Sequence, residues 1–246
     1  MQFAALDNFA MMIGNSRFLA SLKNTIIYCV ATVPFTLAAA LGLAVLLNQH
    51  IKGRNFFRTV SFFPYVASLV AVAAVWNMLF SPAKSGPVNM ILYNLGMAAK
   101  SLPKWAADKD WVMFTVVMFS VWKNMGYYMV IYLAGLQGIP KDQYEAAAVD
   151  GATKFKQFLY ITLPGLKGTI KYVVMITMIQ AMKLFTQPYI MTQGGPKNST
   201  KTLVYYIYTQ GFQKGNFGYA CSIAAVFFVI VVTLSMAMKK VTAATD

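Results

Sequence analysis

Five long apolar segments constrain the fold of this chain more than any other feature of its sequence. They run near residues 22–47, 60–80, 111–136, 169–191 and 219–238. A helix that crosses a bilayer needs about 20 predominantly apolar residues, and each segment is long enough. The pattern therefore predicts an all-α, polytopic membrane helix bundle with five transmembrane helices, formed by residues 1–246 as a single domain.

The composition agrees with a membrane protein. Of the 246 residues, 58% are hydrophobic and only 11% are charged. Soluble domains carry about 25% charged residues, so this chain has too few charges to cover a water-soluble surface. Its net charge of +14 comes from basic residues scattered between the apolar segments. That distribution indicates contact with membrane lipid headgroups and not with nucleic acid.

The basic residues of the loops weakly indicate the orientation. Loops on one side carry nine of them, namely Lys52, Arg54, Arg58, Lys141, Lys154, Lys156, Lys167, Lys239 and Lys240. Loops on the other side carry eight, namely Arg17, Lys84, Lys100, Lys104, Lys109, Lys197, Lys201 and Lys214. Because basic loops favour the cytoplasm, the count favours a cytoplasmic location for the first set and an external amino terminus.

A helix–turn–helix pattern lies between the third and fourth apolar segments. It reads Glu145-Ala146-Ala147-Ala148-Val149-Asp150-Gly151, then nine residues, then Ile161-Thr162-Leu163-Pro164. Pro140 suits a first helical turn, and Asp142 with Glu145 three residues later resembles a capping box. Gly151 permits a sharp turn. Pro164 is expected to stop or bend the chain before the fourth segment.

This pattern resembles the EAA loop of permeases from binding-protein-dependent ABC importers. In that family the loop is a coupling helix that seats in a cleft of the cytoplasmic ATPase subunit. The resemblance implies that residues 140–164 are a cytoplasmic coupling loop. It implies a coupling role for Glu145, Ala146, Ala147, Asp150, Gly151, Leu163 and Pro164.

Other stretches resemble the carbohydrate-uptake branch of the same family, the relatives of maltose and glycerol-phosphate permeases. They are residues 53–58 with Phe63-Pro64, residues 134–140, and the external stretch Thr192-Gln193-Gly194-Gly195-Pro196 with Ser199-Thr200. The resemblance implies a bacterial inner-membrane protein that transports a sugar or related small solute. It also implies three kinds of partner: a second permease subunit, identical or different, cytoplasmic ATP-binding subunits, and an extracytoplasmic solute-binding protein.

No catalytic constellation competes with this interpretation. His50 is the single histidine, and there is no GxxxxGK[ST] phosphate loop. We therefore expect no enzyme activity, no metal and no cofactor, with ATP hydrolysed by a separate subunit. A channel or secondary transporter remains an alternative, although no acidic residue lies well inside an apolar segment, which argues against proton coupling.

Polar residues inside two apolar segments indicate a solute path. Ser120, Lys123, Asn124 and Tyr127 are spaced to share one face of the third segment. Thr177, Gln180 and Leu184 are spaced to share one face of the fourth. We expect these faces to line the path near the middle of the membrane, with Lys123 accompanied by water or by the solute. The alternative is that the polar groups bond between helices or to the partner permease.

The amino terminus resembles a point inside the family's sequence rather than its start. Leu6-Asp7-Asn8-Phe9 looks like the segment that follows the first helix of sugar permeases. We expect this chain to lack that first helix, through a late start codon or a natural shortening.

Overall fold

The computed structural model describes residues 7–49 and 51–243, with side chains described through residue 240; Leu6 and His50 lie outside this part. Every regular element in the described part is helical, which confirms the all-α class. The α-helices are α1 (Asp7–Ile13), α2 (Ser16–Asn48), α3 (Arg54–Val66), α4 (Leu69–Leu79), α5 (Pro87–Asn94), α6 (Lys109–Gln137), α7 (Lys141–Val149), α8 (Lys154–Gln157), α9 (Leu163–Gly165), α10 (Lys167–Met182), α11 (Thr186–Met191), α12 (Leu203–Tyr208) and α13 (Phe217–Ala243). Two 3₁₀ turns (Ala99–Ser101 and Trp105–Ala107) and two π turns (Phe158–Thr162 and Thr209–Gln213) complete the described elements.

Two described helices, α2 and α13, are long and apolar enough to cross a membrane, and a third crossing is added if α3 and α4 form one broken span. The 29 residues of α6 also suffice in length, since a helix rises about 1.5 Å per residue, but Lys123 and Asn124 interrupt its apolar character. The expected total of five spans therefore stays a prediction.

The second and fourth apolar segments are not continuous helices, contrary to the sequence-based prediction. Ala67 and Ser68 separate α3 from α4 with extended backbone, at ψ 146° and 123°. A second break follows Met182, and Phe185 there has φ −135° and ψ −55°. Neither interruption contains glycine or proline at the break itself, so the sequence shows no turn signal at either one.

The chain divides into two compact units. The first comprises residues up to 32, residues 68–120 and residues from 178 onward. A buried cluster in this unit contains Met12, Phe18, Leu203, Tyr206 and Ile223. The second unit comprises residues 33–67 and 121–177. Its core contains Ala40, Ala44, Leu47, Tyr128, Met129, Tyr132, Leu133, Leu136, Ile139, Leu166 and Val173.

Candidate functional site

The helix–turn–helix predicted between the third and fourth segments is present in the second unit. Helix α7 ends at Val149, and Gly151 adopts φ +76°, the left-handed conformation that glycine tolerates best. Thr153 then caps α8, because its hydroxyl accepts a hydrogen bond from the Lys156 amide at 3.4 Å. The turn expected at Gly151 is therefore confirmed as local geometry.

The capping box expected at the start of this hairpin is wrong. Pro140 occupies the N-cap position of α7, and no side chain caps the helix. Asp142 lies inside the first turn, two residues too late to act as the cap. Its carboxylate is still placed near the positive end of the helix dipole, which favours an acid there.

Pro164 was expected to stop or bend the chain before the fourth segment; no stop occurs at Pro164 itself, and the interruption lies two residues later, before α10. The π turn Phe158–Thr162 comes first, and the amide of Leu163 donates to the carbonyl of Phe158. Pro164 then falls in the first turn of α9, where its missing N–H is tolerated. The helical path is interrupted only at Leu166, between α9 and α10.

A hydrogen bond ties the two arms of the hairpin together. The hydroxyls of Tyr144 in α7 and Thr162 in the π turn are 2.9 Å apart. The side-chain amide of Gln157 donates to the carbonyl of Ala152 at 3.3 Å and so fastens the turn. Because the bond between Tyr144 and Thr162 joins residues 18 positions apart, it holds α7 against the second arm of the hairpin.

The root of the hairpin packs closely against the helices that it connects. Leu136, Ile139 and Leu166 are all buried. A Cβ added at Gly135 would lie 2.6 Å from the Thr169 hydroxyl oxygen. One added at Gly165 would lie 2.8 Å from Cδ1 of Ile139. The root of the hairpin is therefore in close contact with the side chains around it.

The expected coupling residues lie mostly on the hairpin surface. Glu145, Ala146, Asp150, Gly151 and Pro164 are exposed, whereas Ala147 and Leu163 are half-buried. Large apolar side chains surround them, since Val149 is 89%, Phe155 69% and Tyr160 76% exposed. The hairpin thus presents a carboxylate and an apolar surface that the described chain does not cover.

The polar face of α6 is largely buried. Ser120 and Lys123 are buried, and Asn124 and Tyr127 are half-buried. The Lys123 ammonium donates to the backbone carbonyls of Pro64, Tyr65 and Ala67, whose oxygens are 2.8, 3.3 and 3.0 Å away. Lys123 is therefore accompanied by carbonyl groups rather than by the water or solute that the sequence suggested.

The face predicted on the fourth segment is only partly realised. Thr177 is buried in α10, its hydroxyl donates to the Val173 carbonyl at 2.6 Å, and it is also hydrogen-bonded to the Tyr128 side chain. Gln180 is exposed on the same helix. The expectation that Leu184 shares this face is wrong, because α10 ends at Met182.

Two residues near the predicted path were missed by sequence reasoning. Tyr128 is 1% exposed and joins α6 to α10 through Thr177. Gly126 allows α6 to touch α3, because a Cβ there would lie 1.9 Å from the Ser61 carbonyl oxygen. A glycine among the polar residues of an apolar segment was the one available signal for that contact.

The expected external loop is a compact turn in the first unit. The hydroxyls of Thr192 and Thr200 are 2.7 Å apart and close it. The side-chain amide of Asn24 donates to the carbonyls of Asn198 and Lys201 at 2.8 and 3.1 Å, which ties the loop to α2.

Three basic groups approach one another beside this loop. Burial is the main cause that lowers the pKa of Lys201, and repulsion from Lys214 and Arg17 adds to it. Arg17 and Lys214 also line a polar pocket of about 830 Å³ together with Asn15 and Gln210. This surface is electropositive and suits an acidic partner.

Comparison with known proteins places these features in a family context. Residues 9–240 match the family described as "Binding-protein-dependent transport system inner membrane component". The arabinooligosaccharides transport system permease protein AraP of Bacillus subtilis (strain 168) is 33% identical over 240 residues, which are 97% of this chain and 75% of the relative. The lactose transport system permease protein LacF of Rhizobium radiobacter is 34% identical over 239 residues, covering 96% of this chain and 79% of the relative.

The fold also matches a solved structure. A chain in the crystal structure of a bacterial alginate ABC transporter, in complex with its alginate pentasaccharide-bound periplasmic protein, superimposes with a TM-score of 0.86 at 24% identity. The match covers 95% of this chain and 81% of that chain. At this level of identity the likeness shows a shared fold.

Proposed function

This chain belongs to the family of binding-protein-dependent transport system inner membrane components, and from this premise we propose that it forms part of the translocation path of an ATP-driven importer for a sugar. As a permease subunit it is not an enzyme, so a separate ATPase hydrolyses the ATP. Relatives named for arabinooligosaccharides and lactose support a saccharide as the solute.

The coupling hairpin is the observation that carries this proposal. Glu145 is exposed on α7, and Gly151 supplies the turn that sets the second arm beside it. The uncovered apolar side chains nearby suit burial in a partner's cleft. We assign the contact with the ATPase to this surface, with Glu145 pairing with a basic group of that subunit. The closely packed root at Gly135 and Gly165 would pass the movement of the hairpin on to α6 and α10.

We assign the wall of the solute path to the polar faces of α6 and α10. Ser120, Asn124, Tyr127, Thr177 and Gln180 supply hydroxyl and amide groups that match the hydroxyl groups of a saccharide. Tyr127 adds an aromatic face, which suits the apolar side of a sugar ring. The hydrogen bond between Tyr128 and Thr177 supports this assignment, because it places the two helices side by side.

The remaining partners follow from the same proposal. We place the chain in a bacterial inner membrane as a single permease domain with five spans and with the hairpin in the cytoplasm. The electropositive loop near Lys201 would then lie outside and meet the solute-binding protein. A second permease subunit, identical or different, would complete the path.

Deletion of the gene tests the proposal in the native organism. Uptake of radiolabelled neutral di- to tetrasaccharides should fall for one or a few members of the panel, and the gene in trans should restore it. A plasmid that encodes a chain truncated before Lys141 serves as the negative control, because that chain lacks the hairpin and every helix after it. If uptake of every saccharide in the panel is unchanged by the deletion, the proposed function is wrong.

A further inference from the structure

The ammonium group of Lys123 lies at the carboxyl-terminal end of α3. Its side chain is 6% exposed, and its ammonium lies within 3.3 Å of three carbonyl oxygens, those of Pro64, Tyr65 and Ala67. The carbonyls of Pro64 and Tyr65 belong to the last turn of α3, and that of Ala67 belongs to the C-cap residue, where the backbone is extended.

The Lys123 ammonium supplies hydrogen-bond donors to carbonyl groups that the break between α3 and α4 leaves without partners in a helix. The last carbonyls of a helix have no partner within the helix, and in an apolar surrounding an unpaired carbonyl is costly. An ammonium group has three donors and no acceptor, so three carbonyls use all its donors. The negative end of the α3 dipole also favours a cation at this position.

Two neighbouring contacts hold the same stretch of α3 against α6. At Gly126 the backbones touch, since a Cβ there would be 1.9 Å from the Ser61 carbonyl oxygen. At the next residue of α6, the Tyr127 ring stacks on Tyr65 with centroids 4.5 Å apart and an angle of 16° between the planes. Lys123, Gly126 and Tyr127 together fix where the Tyr65 ring lies.

We propose that Lys123 is a positioning residue: it caps α3 and holds Tyr65 against Tyr127 in the wall of the solute path, and it does not pair with the solute. The part about the path rests on the function proposed above. Because every donor of the ammonium is used by the backbone, none is left for an anionic group. The wall therefore presents hydroxyl, amide and aromatic groups, and the solute that it accepts is a neutral saccharide rather than a carboxylated or phosphorylated one.

Three variants of the assembled transporter test the proposal. Lys123→Met keeps most of the volume and removes all donors, whereas Lys123→Gln removes the charge and keeps two amide donors. Lys183→Met is the control, because Lys183 is an exposed lysine of another apolar segment. Two quantities are measured: the unfolding temperature of the purified complex, and the ratio of uptake of the neutral saccharide to that of its uronic-acid analogue.

If Lys123 caps α3, the three variants should rank differently in unfolding temperature and uptake than if Lys123 binds the solute. Lys123→Met should lower the unfolding temperature by about 5 °C and reduce uptake, Lys123→Gln should recover part of both losses, and Lys183→Met should change neither. The uptake ratio should stay the same in all three. An unchanged unfolding temperature in Lys123→Met, or a shift of the ratio by about tenfold or more, would overturn the proposal. If the wild-type complex transports no saccharide at all, the proposed function is wrong. The unfolding temperatures of the variants still decide whether Lys123 caps α3.

Discussion

Replacing Gly126 by alanine should force α3 and α6 apart. The added Cβ would be 1.9 Å from the Ser61 carbonyl oxygen and 2.9 Å from Cα of Phe62, and both are backbone atoms that cannot rotate away. Relief to ordinary contact requires a separation of about 1.5 Å. That movement would stretch the Lys123 bond to Pro64, now 2.8 Å, beyond hydrogen-bonding distance.

The cost can be estimated from these two effects. Overpacking of a close contact costs about 1–3 kcal/mol, and loss of a hydrogen bond to a charged group costs about 1.5–3 kcal/mol. A total of about 2.5–6 kcal/mol lowers the unfolding temperature of a chain of this size by at least about 5 °C. Thermal unfolding of the purified transporter in detergent measures the shift. Gly42→Ala is the control, since nothing lies within 4 Å of a Cβ at Gly42. Equal unfolding temperatures for the two variants would refute the close contact between α3 and α6.

Three further predictions concern the hairpin and the solute path. Gly151→Pro should leave the chain in the membrane and abolish ATP-driven uptake, because proline cannot adopt φ +76°; normal uptake would show that the turn is dispensable. Glu145→Gln should reduce co-purification with the ATPase about tenfold, whereas Asp142→Asn, at another exposed acid of the same helix, should not; an equal effect would mean that Glu145 has no specific role. Tyr127→Ala should lower sugar uptake much more than Tyr127→Phe, which keeps the ring stacked on Tyr65; equal losses would locate the contribution of Tyr127 in its hydroxyl.

The hairpin was predictable because its determinants are local. Gly151 supplies a turn that depends on one residue's backbone freedom, and the sequence shows that directly. The capping box failed because its spacing depends on where α7 begins, and Pro140 rather than Asp142 takes the cap position. A shift of two residues is enough to change the role of a carboxylate.

The contacts of the candidate path were not predictable from hydropathy. The break at Ala67 and Ser68 contains no glycine or proline, so tertiary contacts rather than local preference stabilise it. The partners of Lys123 are backbone carbonyls up to 59 residues away, and a carbonyl group has no signature in a sequence. Leu184 was misplaced for a related reason, since neither glycine nor proline marks the end of α10 at Met182.

Reconstitution of the whole importer tests the central claim most directly. The chain would be placed in liposomes with its second permease subunit, its ATPase and its solute-binding protein, and both ATP hydrolysis and uptake of a labelled saccharide would be recorded. The proposed function predicts that the sugar-loaded binding protein stimulates ATP hydrolysis, that uptake requires ATP, and that Gly151→Pro in this chain abolishes both. Saccharide flux through this chain without ATP or without the ATPase would contradict it and would identify a channel or a secondary transporter instead.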